Sequence, residues 1–382
     1  MARFKMMDNP GNNREEGQQV KSSFNWPAVV GAVVLVVALL AVTGVFAWKA
    51  GWLSELNPLS HWSAPVEISI EPTTSSDGTL PRNYKWRYDG RNWSLTIQIP
   101  RYLYDYYKGM ERAPVEDYSI YVTHPKDDND LINPLAAELK RLAVERGYDS
   151  QKTVNFVASF TQNLAYIEDD EGEYPNYPVE TLINKGGDCE DTAILTAALL
   201  QSMGYDAVLI RFTSQIEGEA GHMAVGVAVA GVSGGRSYSY DGKNYYYLET
   251  TSPWSLGEIP PEILSKYKGL ADGIYPLVPA PALRFTDFAW SIERRWFQDK
   301  TLDLKVTVTN WGTANADDFY VSAFFEGHES GAKLSAAHDL AYGYQISGVA
   351  TKGIVLPSGG GTLLVELWLD GEVVDDWTVD IS

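Results

Sequence analysis

The sequence predicts an α+β protein: a mixed core over residues 126–275, an all-β region ahead of it and a β-sandwich over 285–382. Three observations carry this. First, apolar residues at helical spacing recur at Leu131, Leu135, Leu139 and Leu142, and again at Val154, Val157, Phe160 and Leu164. Second, a charge-poor run from Ala193 to Leu200 is followed by short apolar strand-like runs from Tyr205 onward. Third, Pro276-Leu277-Val278-Pro279-Ala280-Pro281 breaks the pattern, and strict alternation (Leu302, Leu304, Val306, Val308) takes over behind it. The segment 276–284 reads as a linker.

The amino terminus predicts a membrane protein. Residues 1–26 are polar and of mixed charge, and read as a cytoplasmic tail. Pro27 to Ala47 holds no charged residue and is flanked by Trp26 and Trp48. As a helix of about 30 Å it would span a bilayer, with the indoles at the two interfaces. The expectation is a single-pass anchor over 27–48 in the cell membrane, with the bulk of the chain extracellular because basic residues precede the span. Residues 49–125 then form a stalk and an N-terminal β region.

In that region, Val66 to Ile70 alternates as a strand. Tyr84–Tyr88 and Trp93–Ile99 make a hairpin around Asp89-Gly90. Tyr118 to Val122 reads as a further strand. Tyr102, Tyr104, Tyr106 and Tyr107 form an aromatic patch that packs the β layer on the core. Helices are predicted over about 131–146 and 151–166. Gln162 and Tyr166 lie one turn apart on the second, where both are candidates for a cleft. The acidic run Glu168 to Glu173 reads as a solvated turn. Tyr174 to Leu182 is kept extended by Pro175 and Pro178, with Tyr177 in reach of the same cleft.

The chemistry centres on Gly186-Gly187-Asp188-Cys189-Glu190-Asp191-Thr192. Asp188 can cap a helix that Gly204 ends. Cys189, the only cysteine, then sits at the helix N-terminus, where unpaired amides and the helix dipole favour a thiolate. Its acidic neighbours oppose that. His222 opens the apolar run Met223 to Ala230, and Glu249 follows Tyr245 to Leu248. Tyr205 to Phe212 reads as another strand, and Ser237–Tyr240 pairs with Tyr245–Glu249 around Asp241-Gly242. Thiol, imidazole and carboxylate in this order can make a nucleophile, a base and an orienting acid.

Residues 178–257 resemble the core of the transglutaminase-like cysteine-enzyme superfamily, and the likeness extends back to about residue 130. Gly-Asp-Cys at 187–189 before an Ala/Leu-rich helix matches the nucleophile motif, and Gly221-His222 before an apolar strand matches the base motif. Glu249-Thr250 stands where the family usually has Asp before Thr or Pro. The resemblance implies a papain-like core with Cys189, His222 and Glu249 as a catalytic triad. It also implies a peptide or protein substrate and, together with the anchor, a thiol hydrolase at the cell surface, with isopeptide-forming acyl transfer or a non-catalytic surface scaffold or assembly subunit as the alternatives. Val306-Thr307-Val308-Thr309-Asn310-Trp311-Gly312 resembles the adhesion-type immunoglobulin-like modules of archaeal and bacterial surface proteins, which implies a surface protein or glycan as the partner of the sandwich.

Composition narrows the field. A formal charge of −20 argues against a nucleic-acid partner. The five histidines (His61, His124, His222, His328, His338) are scattered and no cysteine pair exists, so no metal or other cofactor is expected.

Overall fold

A computed structural model of the chain describes residues 65–70, 78–124, 131–169, 172–214, 220–294 and 299–382. The functional core is built on a five-stranded sheet of β6 (Asp206–Phe212), β7 (His222–Ala228), β8 (Ser237–Tyr240), β9 (Lys243–Leu248) and β10 (Gly273–Pro276). Its strand order is β10-β6-β7-β9-β8, with antiparallel neighbours throughout. β6 and β7 are apolar on both faces because both faces are covered. Ala207, Leu209, Met223, Val225 and Val227 join the main core, whereas Val208, Ile210, Phe212 and Ala224 join a second core capped by the helix Pro261–Tyr267.

The main core surrounds the helix Cys189–Ser202. Every residue from Glu190 to Leu200 is buried. Around it pack the helices Asn133–Glu145, close to its predicted span, and Ser150–Thr161, which ends short of its predicted limit. Gly147, at φ 67, lets the chain leave the first of them. Asp149 caps the second by accepting from the Lys152 amide at 2.8 Å.

Beyond these helices lies a three-stranded sheet in the order β1-β3-β2, formed by β1 (Val66–Ile70), β2 (Thr79–Tyr88) and β3 (Arg91–Pro100). Asp89 and Gly90 take φ of 49° and 73°, the left-handed pair that a two-residue hairpin turn requires. Trp86 and Trp93 stack on one another and meet Phe156 and Phe160 of the helix behind. The tyrosine patch lies on the helix Arg101–Lys108, of which Leu103 and Tyr107 are buried.

Residues 283–381 form two sheets facing one another. One is β11 (Leu283–Glu293), β12 (Thr301–Asn310) and β16 (Gln345–Val355). The other runs β14 (Lys333–Leu334), β13 (Ala316–Phe325), β17 (Gly361–Leu369) and β18 (Glu372–Ile381), with β15 (His338–Leu340) also pairing β13. Leu302, Leu304, Val306 and Val308 close on Phe319, Val321, Leu363 and Val365 between the sheets.

Several expectations are corrected. Tyr118–Val122 is no strand: Ser119–Val122 is one fully buried helical turn, and the buried aromatics around Tyr121 override its β propensity. The segment after Tyr177 is not extended. Pro178 opens the helix Pro178–Asn184 at the one position where its missing amide costs nothing. The second long helix stops at Thr161, so Gln162 and Tyr166 do not share a face; β4 (Ala165–Tyr166) instead pairs in parallel with β5 (Gly186–Gly187). The helix Pro261–Tyr267 and β10 have no counterpart in the sequence reading. The membrane reading is corrected too. No helix among the described residues is long and apolar enough to cross a membrane. Residues 27–48, the predicted span, lie outside the described residues, as do the tail 1–26 and most of the stalk. The transmembrane element of the fold class, the membrane as a partner and the single-pass localisation therefore lose their support. The α+β architecture does not depend on them.

Asn310 joins the sandwich to the segment that leads into it. It is fully buried, and its Oδ1 accepts from the amides of Ala282 and Gly312 at 3.1 and 3.0 Å. Its Nδ2 donates to the carbonyls of Ala314 and Leu340 at 2.9 and 3.1 Å. N310L should strand these four groups and cost on the order of 3 kcal/mol. Urea unfolding of the full chain measures this, and a loss below about 1 kcal/mol would show that Asn310 is not the hub.

Candidate functional site

Cys189 is held where three local features meet. The short parallel pairing of Ala165-Tyr166 with Gly186-Gly187 brings the chain up to the helix start. Gly187 must be a glycine, since a Cβ there would lie 2.3 Å from a side-chain oxygen of Asp191. Asp191 is itself fixed by Asn176, whose amide donates to Oδ1 at 2.7 Å and whose Nδ2 donates to Oδ2. Asp188 takes the N-cap position in extended backbone, but its side chain caps no amide of the helix.

Opposite Cys189, β7 begins at His222. His222 Nε2 lies 3.2 Å from Glu249 Oε2 and 3.3 Å from the Tyr247 hydroxyl. Glu249 sits just past the end of β9 and is almost wholly buried. Its Oε2 also accepts from the Tyr247 hydroxyl at 2.5 Å. Its Oε1 accepts from the amides of Thr250 and Thr251, both at 3.0 Å, and from the Thr251 hydroxyl at 2.7 Å. Burial pushes this carboxyl up, but His222, Tyr247 and the Thr251 amide outweigh it and bring its pKa down to about 2. Glu249 is thus an ionised carboxylate inside the protein, aimed at the imidazole.

The thiol is in a different state. Cys189 Sγ donates to Glu190 Oε2 at 3.2 Å. Burial, and then the neighbouring carboxyl groups of Glu190 and Asp188, push the thiol well above its ordinary value; the Met223 amide acts against them. Glu190 is buried as well, and burial together with Asp188 raises its pKa to about 10. The membrane-anchored hydrolase acting through a Cys-His-Glu triad, as expected from the sequence, is corrected accordingly. The chain's one cysteine rests as a neutral thiol bonded to a neighbouring acid, and only the His222–Glu249 half is joined.

Cys189 and His222 nevertheless line one cleft of about 500 Å³, together with Tyr118, Tyr166, Asp188, Glu190 and Met223. The other predicted cleft residues separate. Tyr166 is on the wall of this cleft and more than half exposed. Gln162 lies behind it, where its Nε2 donates to the carbonyls of Glu249 and Trp254, both at 2.9 Å, and so holds the turn that carries Glu249. Tyr177 is buried beside Tyr107, Tyr121 and His124, and lines a second cavity toward the sandwich. Two participants escaped the sequence reading. Tyr247 could have been found from strand alternation, which puts it on the face of Glu249, and Asn176 carried no signal. Glu190 was read among the acidic neighbours that oppose a thiolate, as it does, but not as the hydrogen-bond partner of the thiol.

The sign of the thiol shift gives a testable pH dependence. The neutral form is favoured, so the thiolate fraction stays small through neutrality and grows only as pH climbs toward the raised pKa. Iodoacetamide labelling of Cys189 in the folded chain should therefore be at least about tenfold slower than that of a free thiol near neutral pH, and still rising above about pH 9. A rate already at its plateau at neutral pH would mean a resting thiolate–imidazolium pair instead.

Residues 136–234 match the family described as a transglutaminase-like domain, about a quarter of the chain. No curated protein matches. Among solved structures, the chain is similar to red sea bream transglutaminase at 10% identity and a TM-score of 0.25, over 79% of this chain and 70% of that one. It is also similar to DesR, a β-glucosidase from Streptomyces venezuelae in complex with D-glucose, at 16% identity and a TM-score of 0.18, over 28% and 16% of the two chains. A calcium-binding mutant of β-glucuronidase 2 from Bacteroides uniformis aligns at 10% identity and a TM-score of 0.23, over 47% and 24%. The chain thus spans less than a quarter of both glycosidases, and TM-scores this low carry no functional inference. No comparison supports an immunoglobulin-like assignment for 285–382. The family match is confined to the segment 136–234, which is similar to transglutaminase-like domains and supports a likeness to that superfamily at its broadest level.

Proposed function

We propose that the protein is a thiol acyl-transfer enzyme, a cysteine protease or acyltransferase, with Cys189 as nucleophile, His222 as base and Glu249 as the group that orients the base. The observation that carries this reading is the buried, ionised Glu249 bonded to His222 in the cleft that Cys189 also lines. The donors around Glu249 offset the cost of burying its charge, and a buried group with a strongly shifted pKa that holds an imidazole at a cleft is a mark of a functional site.

The chemistry follows from the resting state. A substrate carbonyl entering the cleft meets a neutral thiol. Cys189 turns from Glu190 to His222 and passes its proton to the imidazole as sulfur attacks the carbonyl carbon. Glu249 stabilises the imidazolium that forms. His222 then gives the proton to the leaving amine, and water or a second amine takes the acyl group from sulfur. The Cys189 amide, at a helix start, is suited to hold the oxyanion. Tyr166 forms part of the wall against which an extended peptide would lie, and Gln162 acts by keeping the Glu249 turn in register.

Turnover of a peptide-amide library by the full chain tests this, with water alone and with an added primary amine. C189A should abolish turnover. H222A should lower kcat by about 10²–10⁴-fold. E249Q should cost less, since the imidazole remains while its charge support is lost. Equal turnover by the parent and H222A would end the reading; turnover that requires the amine would make the enzyme an acyltransferase.

Q162A probes positioning alone. It removes two hydrogen bonds from the Glu249 turn and touches no reacting atom, so kcat should fall by about tenfold with KM nearly unchanged. A change confined to KM would move Gln162 into substrate contact.

A further inference from the structure

The wall of the cysteine cleft carries a strand edge that pairs on one side only. β4 bonds to β5 and to no other strand among the described residues. The amides of Ala165 and Ile167 donate to the carbonyls of Lys185 and Gly187 at 3.0 and 3.1 Å. Successive residues of an extended chain turn their amide and carbonyl to opposite sides, so those of Tyr166 point away from β5. Tyr166 makes no backbone hydrogen bond to any described residue, and neither does Glu168 two residues on. Both residues are exposed, and both line the cleft that holds Cys189. Unpaired edge groups of this kind are a template for another extended chain. The edge is short and ends in the acids Glu168 and Asp169, which is how an open edge is kept from pairing with copies of itself.

We propose that an extended polypeptide substrate adds to this edge as a further β-strand, exchanging main-chain hydrogen bonds with Tyr166 along the wall of the Cys189 cleft. The inference rests on the thiol acyl-transfer reading and names what that enzyme takes: an unfolded or looped segment of chain, recognised through its backbone. In an antiparallel register one substrate residue gives its amide to the Tyr166 carbonyl and accepts the Tyr166 amide. The next substrate residue turns its backbone away, and the one after it comes opposite Glu168. Main-chain bonds supply the affinity and select little among side chains. Proline is excluded opposite Tyr166, because it has no amide to give.

Binding to the full chain carrying C189A separates recognition from chemistry. The probe is the tightest-binding member of the peptide-amide library, fluorescein-labelled and followed by anisotropy, with versions in which each backbone amide in turn is replaced by an ester. An ester removes one donor and keeps the side chain. Affinity should fall about tenfold at one position, or at two positions two residues apart with the one between them tolerant. Y166P in the same background removes an amide that bonds nothing in the free protein, on an edge strand where proline is accepted. The probe should then bind about tenfold more weakly, and Y166A, which loses the ring and keeps the amide, should cost less. Should Y166P fail to fold, the ester series decides alone. A library without a binder, esters tolerated at every position, or a folded Y166P that binds as well as its background would overturn the proposal. So would self-association of the chain that Y166P abolishes, since the edge would then belong to a second copy. Turnover by the parent together with ester tolerance throughout would keep the enzyme and remove the added strand; the ester pattern without turnover would keep the strand and end the reaction.

Discussion

The burial of one helix organises this protein. The helix Cys189–Ser202 is buried on every side from Glu190 to Leu200, so it cannot rotate or slide without opening a cavity on some side. The helices Asn133–Glu145 and Ser150–Thr161, the sheet strands β6 and β7, and the turn Ser119–Val122 all close on it. Its N-terminus is therefore a fixed point, and Cys189 has a defined position without needing a strong bond of its own. His222 is fixed in turn, because β7 packs directly against that helix and starts at the histidine.

Two buried glutamates next to this fixed point show how donors decide charge. Glu249 and Glu190 are about equally withdrawn from water. Glu249 meets hydroxyls, amides and an imidazole, and ionises readily. Glu190 meets a thiol and another carboxyl, and holds its proton to about pH 10. The same desolvation has opposite outcomes because hydrogen-bond donors reward the anion and a neighbouring anion penalises it. The site is thus divided into an activated base side and a restrained nucleophile side, and substrate must bring the two together.

The sandwich contributes a separate hydrophobic core but not a separate surface. Thr313 bonds Thr123 at 2.8 Å through their side chains, and Trp311 packs against the main core. Asn310 ties the same corner to the entering segment at Ala282. Rigid support of the domain that carries the cleft is the physical consequence of these contacts.

Local chemistry made much of this legible. Strand alternation placed the cores of β12 and β13, Asp-Gly pairs placed two hairpin turns, and an apolar run after Gly187-Asp188 placed the cysteine helix. Those features depend on side-chain periodicity and backbone conformation, which a sequence displays directly. The order Cys189, His222, Glu249 also named the groups of the candidate site. The anchor over 27–48 was likewise read from composition, and it finds no counterpart in the described residues. What only the tertiary structure decided was which groups touch. Tyr118–Val122 became helical through its aromatic surroundings, and Tyr177 turned toward a different cavity from Tyr166. Gln162, expected in the cleft, went behind Glu249 instead. Above all, the thiol fell to Glu190 while Glu249 took His222. Hydrogen-bond partners and burial arise from segments far apart in the chain, and no local pattern carries that information.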